Sequence, residues 1–438
     1  MSALSVRIWR SRWLPVAGAV VCASLIPMGL ASAASPSHQT RRSGNSWDRG
    51  NHPGWVSTWA ASPQVATPGT LSATGFTDQT VRNVVFSSVG GNLVRVRFTN
   101  TFGTTPLQIG SASIAVAGTG AGTSGSAVPL TFGGQSSILI PDGAEALSDP
   151  VRLRVPALQD LDVSVFLPQA TGAATQHSDA QQVNYVGSGD QTLDTSGTPF
   201  TMQTQSWYFV DSVDVVGQRN DLGTLVAFGD SITDGYQSTV NANARWPNDL
   251  ARRLDARRET LAVADEGISG NRVLNDSLCC GVNALSRFDR DVVDRAGAKE
   301  VILLEGINDI GFSQLTGVAG TSPNTDVSAA QIIAGYQQII AQAHAAGLKI
   351  FGGTLTPFKG ASYYSDDGEK KREAVNNWIL TSGAFDGVID FAKVVADPSD
   401  PTMMNPSYDS GDHLHPNDAG YQAMANAIPL RLLLGSGR

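Results

Sequence analysis

Cysteine is nearly missing from this chain, with three in 438 residues. Cys22 falls in an apolar N-terminal stretch, which leaves only the adjacent pair Cys279-Cys280. So few thiols exclude a disulfide-stapled scaffold, and a pair with no histidine close in sequence is not a zinc site. A trans peptide holds neighbouring Cα atoms about 3.8 Å apart, shorter than the ~4.4–6.8 Å of ordinary disulfides. A vicinal bridge, two free thiols and a bridge to another chain all stay open on the sequence.

Positive charge is scarce too. Lys and Arg number 30 against 39 Asp and Glu, for a net −9. Arg7, Arg10 and Arg12 precede the apolar stretch; losing residues 1–33 removes three positive charges and no negative ones, and leaves −12. Phosphate recognition needs Lys and Arg, so nucleic acid and anionic membranes are excluded as expected partners. No cluster has metal-ligand spacing, and neither a metal nor any other cofactor is invoked. The pattern G-x-S-x-G does not occur, which removes the nucleophile elbow of one large hydrolase class. Beyond the N-terminal stretch no run is long and apolar enough to span a bilayer, and there are no internal repeats.

What is present divides into two grammars. The first 33 residues read as a secretory signal: a basic start, an apolar core from Trp13 to Leu30 broken by Pro15 and Pro27, and Ala31-Ser32-Ala33 as cleavage site. On that reading the protein is secreted and extracellular, with no stable membrane insertion after cleavage; the alternative, an uncleaved membrane anchor, is disfavoured because Pro15 and Pro27 interrupt a stretch already near the lower length limit for spanning. Residues 34–53 are a polar, turn-rich leader. Residues 54–221 show short strands with frequent turns and no long helical periodicity, which predicts an all-β sandwich or jelly roll. Within them, residues 81–86 and 93–98 flank Val89-Gly90-Gly91-Asn92 and read as a hairpin. Further strands are expected at 107–116, 137–140, 151–155, 161–167 and 207–216.

From residue 222 to 438, strand and helix patterns alternate. Apolar runs at 224–228, 261–264, 301–304, 349–354 and 388–391 predict strands. Trp246, Leu250 and Leu254 lie at helical spacing, as do Ile332, Ile333, Tyr336, Ile339, Ile340 and Ala343. A last helix is expected from Pro416. Five such units imply a parallel sheet with helices on both faces. The connector around 216–221 is short and has no Pro/Thr- or Gly/Ser-rich spacer, which predicts a packed contact between the halves rather than a tether.

Ligands of open parallel sheets bind at the carboxyl ends of the strands, and those ends are polar here. In order they read Gly229-Asp230-Ser231-Ile232, Glu266-Gly267-Ile268-Ser269-Gly270-Asn271 and Glu305-Gly306-Ile307-Asn308-Asp309, with Asp412-His413-Leu414-His415-Pro416 near the C-terminus. This combination resembles the SGNH hydrolases, also called the GDSL esterase/lipase family, over residues 222–434, with Ile232 where the family tripeptide is followed by Leu. The resemblance implies a flavodoxin-like fold and a serine esterase working through an acyl-enzyme. It assigns Ser231 as nucleophile, His415 as general base and Asp412 as the group that orients the base. The oxyanion donors it implies are the Ser231 and Gly270 backbone N–H groups and the Asn308 side chain.

Each residue also has a plainer reading. Ser231 is also a natural helix cap, and Asn308 an ordinary turn residue. Asp230 and Asp234 have the look of paired glycosidase acids, but the motif gives them turn and capping roles. His413 adjoins Asp412 and competes with His415. His38, His52, His177 and His344 are expected on the surface or in structural roles. The expected substrate is an ester, with acetyl or other short acyl groups on polysaccharide first, lipid or phospholipid second, and a non-catalytic carbohydrate-binding protein as the alternative from another class. No long aromatic lid is seen, although the polar segment 311–325 is placed to border the site. Trp246, Trp378, Tyr236, Tyr363 and Tyr364 are the candidate sugar platforms, with a core role equally open for each tryptophan and Tyr363-Tyr364, in a loop rich in small polar residues, the preferred pair.

Overall fold

A computed structural model describes residues 54–216 and 223–434. The predicted signal, the leader to residue 53 and the connector after Val216 lie outside the described residues. Among those described, no helix is long and apolar enough to cross a membrane.

Residues 55–216 form two two-stranded antiparallel sheets and two large ones. One joins Trp55–Ala60, Val210–Val216 and Gly91–Thr99, with Glu145–Leu147 and Val151–Val155 along its edge; the other runs Phe200–Thr204, Asn184–Ser188, Gln79–Ser87, Gln159–Leu167, Ser111–Val116 and Val128–Pro129. Val94, Val96, Phe98, Val213 and Val215 of the first meet Val81, Val85, Ile114, Val163 and Val165 of the second in one core. This is the expected sandwich. The expected hairpin is not formed. Gln79–Ser87 and Gly91–Thr99 belong to different sheets, because pairing side by side would put both apolar faces in one sheet, whereas crossing the sandwich lets them cover each other. Gly90 and Gly91 allow the crossing: a Cβ there would come within 2.7 Å of the Val155 carbonyl oxygen and 2.5 Å of that of Val216.

The second half is a five-stranded, all-parallel sheet in the order Ala262–Gly267, Thr224–Gly229, Ala298–Leu304, Lys349–Gly353, Gly387–Ile389. That is the 2-1-3-4-5 order of flavodoxin-like folds, whose switch point lies between the first and third strands. Helix Trp246–Ala256 packs with Asp418–Ala427, and Ala329–Ala345 with Asp366–Thr381. Ala329–Ala345 starts at a capping box of Ser328 and Gln331 and buries Ile332, Tyr336, Ile339 and Ile340. Each such aliphatic side chain contributes about 1.5–3 kcal/mol. The helix expected from Pro416 begins two residues later, at Asp418, because Asn417 accepts from the Gly420 N–H and is the true cap; a short helix, Leu430–Leu434, follows it.

The halves share a continuous interface. Trp55–Ala60 packs on Ala262–Gly267, and the Ser57 backbone N–H lies 3.0 Å from both Thr224 Oγ1 and the Ala296 carbonyl. At its centre sits Arg287, fully buried. Its guanidinium donates to the carbonyls of Gly229 (2.8 Å) and Glu266 (2.8 Å), to Asn271 Oδ1 (2.9 Å) and to Ser62 Oγ (3.0 Å) from the antiparallel half. It also faces Asp291 and Glu305 and stacks 4.0 Å over the Phe228 ring. Arg295 makes a second buried bridge between the halves, to Asp211 at 3.2 Å. Removing one member of such a network strands the other charges away from water. Arg287→Ala is therefore expected to lower the unfolding free energy by about 3–5 kcal/mol, read from urea denaturation of the full chain; a loss under 1 kcal/mol would show that the network carries no such load.

Candidate active site

The first parallel strand stops because Gly229 passes close beneath its neighbours. A Cβ there would lie 2.2 Å from the Leu304 carbonyl oxygen and 2.4 Å from Thr233 Oγ1. Asp230 then caps a one-turn helix, Ser231–Asp234, accepting from the Ile232 N–H at 3.0 Å. The capping role expected of Asp230 is thus seen, and Ser231 is the first helical residue rather than the cap.

Asp412 and His415 come from one loop whose shape the aspartate itself sets. Asp412 Oδ1 accepts from the backbone N–H groups of Leu414 (2.9 Å) and His415 (2.8 Å), a local turn of the kind short carboxylates favour. The curl brings Oδ2 to 2.6 Å from His415 Nδ1, and His415 Nε2 reaches Ser231 Oγ at 2.8 Å. The carboxylate fixes the proton on Nδ1 and leaves the Nε2 lone pair for the serine hydroxyl. Partial burial works against the charged form of Asp412. The hydrogen bonds from the His415 ring and from the two N–H groups outweigh it and hold the carboxyl well below the usual carboxylate range. His413 does not compete: its backbone is left-handed, at φ +63°, and its ring pairs with Asp409 at 2.6 Å.

Gly270 and Asn308 follow the second and third strands. Gly270 has φ +77°, and an added Cβ would lie 2.4 Å from Cys280 Sγ. Cys279 and Cys280 are joined to each other in a disulfide, so that bridge backs directly onto the glycine. Among the described residues no group accepts from the N–H of Ser231 or of Gly270. Asn308 donates one amide hydrogen to the Asn271 carbonyl at 3.0 Å, while its Oδ1 accepts from Tyr363 O–H at 3.1 Å. Both contacts set the side-chain orientation and leave the second amide hydrogen without a partner among the described residues.

Several expectations change. Tyr363 is buried and holds Asn308, so it is no sugar platform, and Trp246 is fully buried in the core. Trp378 is half-buried in an aromatic cluster with Tyr336 and Phe385. Tyr364 is half-buried and donates to Asp366. Tyr236 alone of these five stacks against His415, with ring centroids 4.8 Å apart. Asp234 does not serve as a turn cap. Its carboxylate takes Ser269 and His177, and His177 is buried, in the structural one of the two roles expected for it. His344 is exposed and pairs with Asp386; His38 and His52 lie outside the described residues. The segment 311–325 does border this region, since Gly320 O accepts from the Cys279 N–H. Arg287, Asn271 and Tyr363 were missed as supporting residues. Apart from Asp291, one helical turn after Arg287, the partners that give them these roles lie 16, 37 and 55 positions away, and no local pattern signals them.

Behind Ser231 lie further acids. Burial pushes Asp230 and Asp309 up to about 7, and burial with neighbouring acids pushes Glu305 well above its ordinary range. Among the described residues no group of His, Cys, Asp and Glu is arranged to hold a metal ion. Gly270→Ala combines left-handed strain with overpacking against Cys280, and an expected loss on the order of 2 kcal/mol or more in urea denaturation follows. An alanine variant as stable as the parent would mean that the disulfide loop yields freely.

Residues 227–423 match the model of the GDSL-like lipase/acylhydrolase family. No curated protein matches the chain in sequence. Among solved structures, the chain is similar to an acetyl-xylooligosaccharide esterase from Geobacillus, at 19% identity over 49% of this chain and 96% of that one, with a TM-score of 0.37. It is also similar to a GDSL-like lipase from Bacteroides thetaiotaomicron (17%, 48% and 88%, TM-score 0.35) and to a lipase/acylhydrolase from Enterococcus faecalis (19%, 47% and 92%, TM-score 0.34). Residues 227–423, which hold the 2-1-3-4-5 parallel sheet from its first strand onward, thus carry a GDSL-like lipase/acylhydrolase domain.

Proposed function

We propose that this chain is a secreted serine ester hydrolase that removes acetyl or other short acyl groups from polysaccharide or related esters. The observation that carries the reading is the hydrogen-bonded run from Asp412 through His415 to Ser231 Oγ, at 2.6 and 2.8 Å. Ser231 Oγ attacks the ester carbonyl as His415 Nε2 takes its proton, and Asp412 steadies the imidazolium. The Ser231 and Gly270 N–H groups and the Asn308 amide receive the negative charge that develops on the carbonyl oxygen. His415 then protonates the departing alcohol, and water repeats the sequence on the acyl-enzyme. Tyr363 keeps the Asn308 amide turned toward that oxygen.

The polysaccharide part of the reading is supported by the export signal read in the sequence and by Tyr236, whose ring packs against His415, as a surface for a sugar ring. A lipid ester is the second reading. It is favoured by Leu278 and Val318, 53% and 50% exposed, on the two segments joined by the Cys279–Gly320 hydrogen bond next to Gly270.

Hydrolysis of p-nitrophenyl acetate, longer acyl esters, acetylated xylan and a phospholipid tests the proposal. Ser231→Ala is expected to abolish turnover, and Asn308→Ala to cost about 10²–10³ in kcat. Tyr363→Phe is expected to cost about tenfold in kcat with KM little changed, the size of one lost orienting hydrogen bond. Preference for phospholipid or long chains moves the assignment to the lipase, and activity indifferent to Ser231 sinks it.

A further inference from the structure

One side chain of the antiparallel half, His177, bonds directly to the turn that carries Ser231. His177 lies in the short pair Gln176–His177 with Trp207–Tyr208, its ring 5.4 Å from that of Trp207. Its Nδ1 lies 3.0 Å from the Ser62 carbonyl, and its Nε2 lies 3.1 Å from Asp234 Oδ1 across the interface. Asp234 closes the one-turn helix that Ser231 opens. Its other oxygen, Oδ2, accepts from the Ser269 N–H (3.0 Å) and Ser269 Oγ (2.8 Å), one residue before Gly270. A single carboxylate therefore joins the turn that carries Ser231 to the loop that carries Gly270.

Both side chains are almost completely shielded, at 3% and 4% exposure. A carboxylate removed from water holds its charge and its geometry only with a partner. Arg245 lies nearby, but its Nε donates to the Asp234 backbone carbonyl and its head sits over Trp207. The counter-charge to the Asp234 carboxylate is His177.

We propose that His177 is a positioning residue for the esterase, supplied by the antiparallel half, which holds the Ser269–Gly270 backbone through Asp234 so that the Gly270 N–H faces the reacting carbonyl. The inference rests on the hydrolase reading for its effect on turnover, though the positioning itself does not need turnover to be seen. It gives the first half a part in the chemistry without contact with substrate.

Titration gives this device a signature. Burial works against the charged imidazole, but Asp234, the Ser62 carbonyl and Asp179 outweigh it and raise His177 to about 9. The other charged groups around it are Arg245 and Asp265, the latter pushed up to about 7 by burial. With a folded value above the ordinary ~6.5, the contribution of the pair is complete below that value and is lost as pH rises through about 9.

The test uses the full chain and two readouts, hydrogen exchange of the segment 266–271 and the pH profile of p-nitrophenyl acetate turnover. In His177→Gln, exchange in that segment is expected to rise about tenfold or more. Its kcat is expected to fall about 10–100-fold with KM within about threefold, as for a disturbed oxyanion donor. The parent should show a falling limb near pH 9 that this variant lacks. Should His177→Gln fail to fold, Ser269→Ala, which removes only the hydroxyl contact, is expected to raise exchange in the same segment. Unchanged exchange and kcat in a folded variant overturn the inference. Turnover that ignores Ser231 overturns the hydrolase reading instead, and exchange alone then decides whether His177 positions the loop.

Discussion

The arrangement depends on a guanidinium taken out of water. Arg287 is planar and forked, and a fork can serve several acceptors at fixed angles, which an ammonium cannot. Here those acceptors are the last carbonyl of the strand before Ser231, a carbonyl at the end of the strand before Gly270, the side chain of Asn271 and a serine of the other half. The cost of burying such a charge is offset only while every partner is in place. The ends of those two strands are thereby held in one register, and the sharp turns that follow begin from fixed points.

That register explains how groups so far apart in the chain come within hydrogen-bonding distance. Ser231 and His415 are separated by 184 positions, yet Oγ and Nε2 stand 2.8 Å apart. Two rigid turns meet there. One is capped by Asp230, and the other is curled by Asp412 on its own backbone. Neither loop relies on the other for its shape, so the contact is prepared before substrate arrives. The Asn308 amide is prepared in the same way, pinned on one side by Asn271 and on the other by Tyr363.

The parts legible in the sequence were those that depend on neighbours along the chain. Alternation of apolar runs and helical faces gave the parallel half its strands to within a few residues, and the Asp412–His415 spacing pointed to a local turn. Partners distant in sequence left no trace. Alternation in residues 81–86 and 93–98 says which face is buried but not which strand lies alongside, and so the hairpin reading placed them in one sheet instead of two. His177 looked like a stray histidine because its meaning lies 57 positions away at Asp234. Trp246 and Tyr363 are aromatic residues whose exposure no composition reveals, and the fold spends both on packing.

The strand Ala262–Gly267 is one edge of the parallel sheet, and among the described residues no further strand pairs with it. Its outward groups are met by single side chains from the first half: the Val263 N–H by Ser88 Oγ at 3.0 Å, and the Glu266 carbonyl by Ser62 Oγ at 3.2 Å. A bare sheet edge is a template for unwanted pairing between molecules. The antiparallel half is thus a sheath as much as a scaffold. A gene that lost it would encode an enzyme fold with an adhesive margin and buried cations facing solvent, so the two halves are expected to be inherited and exchanged as one piece.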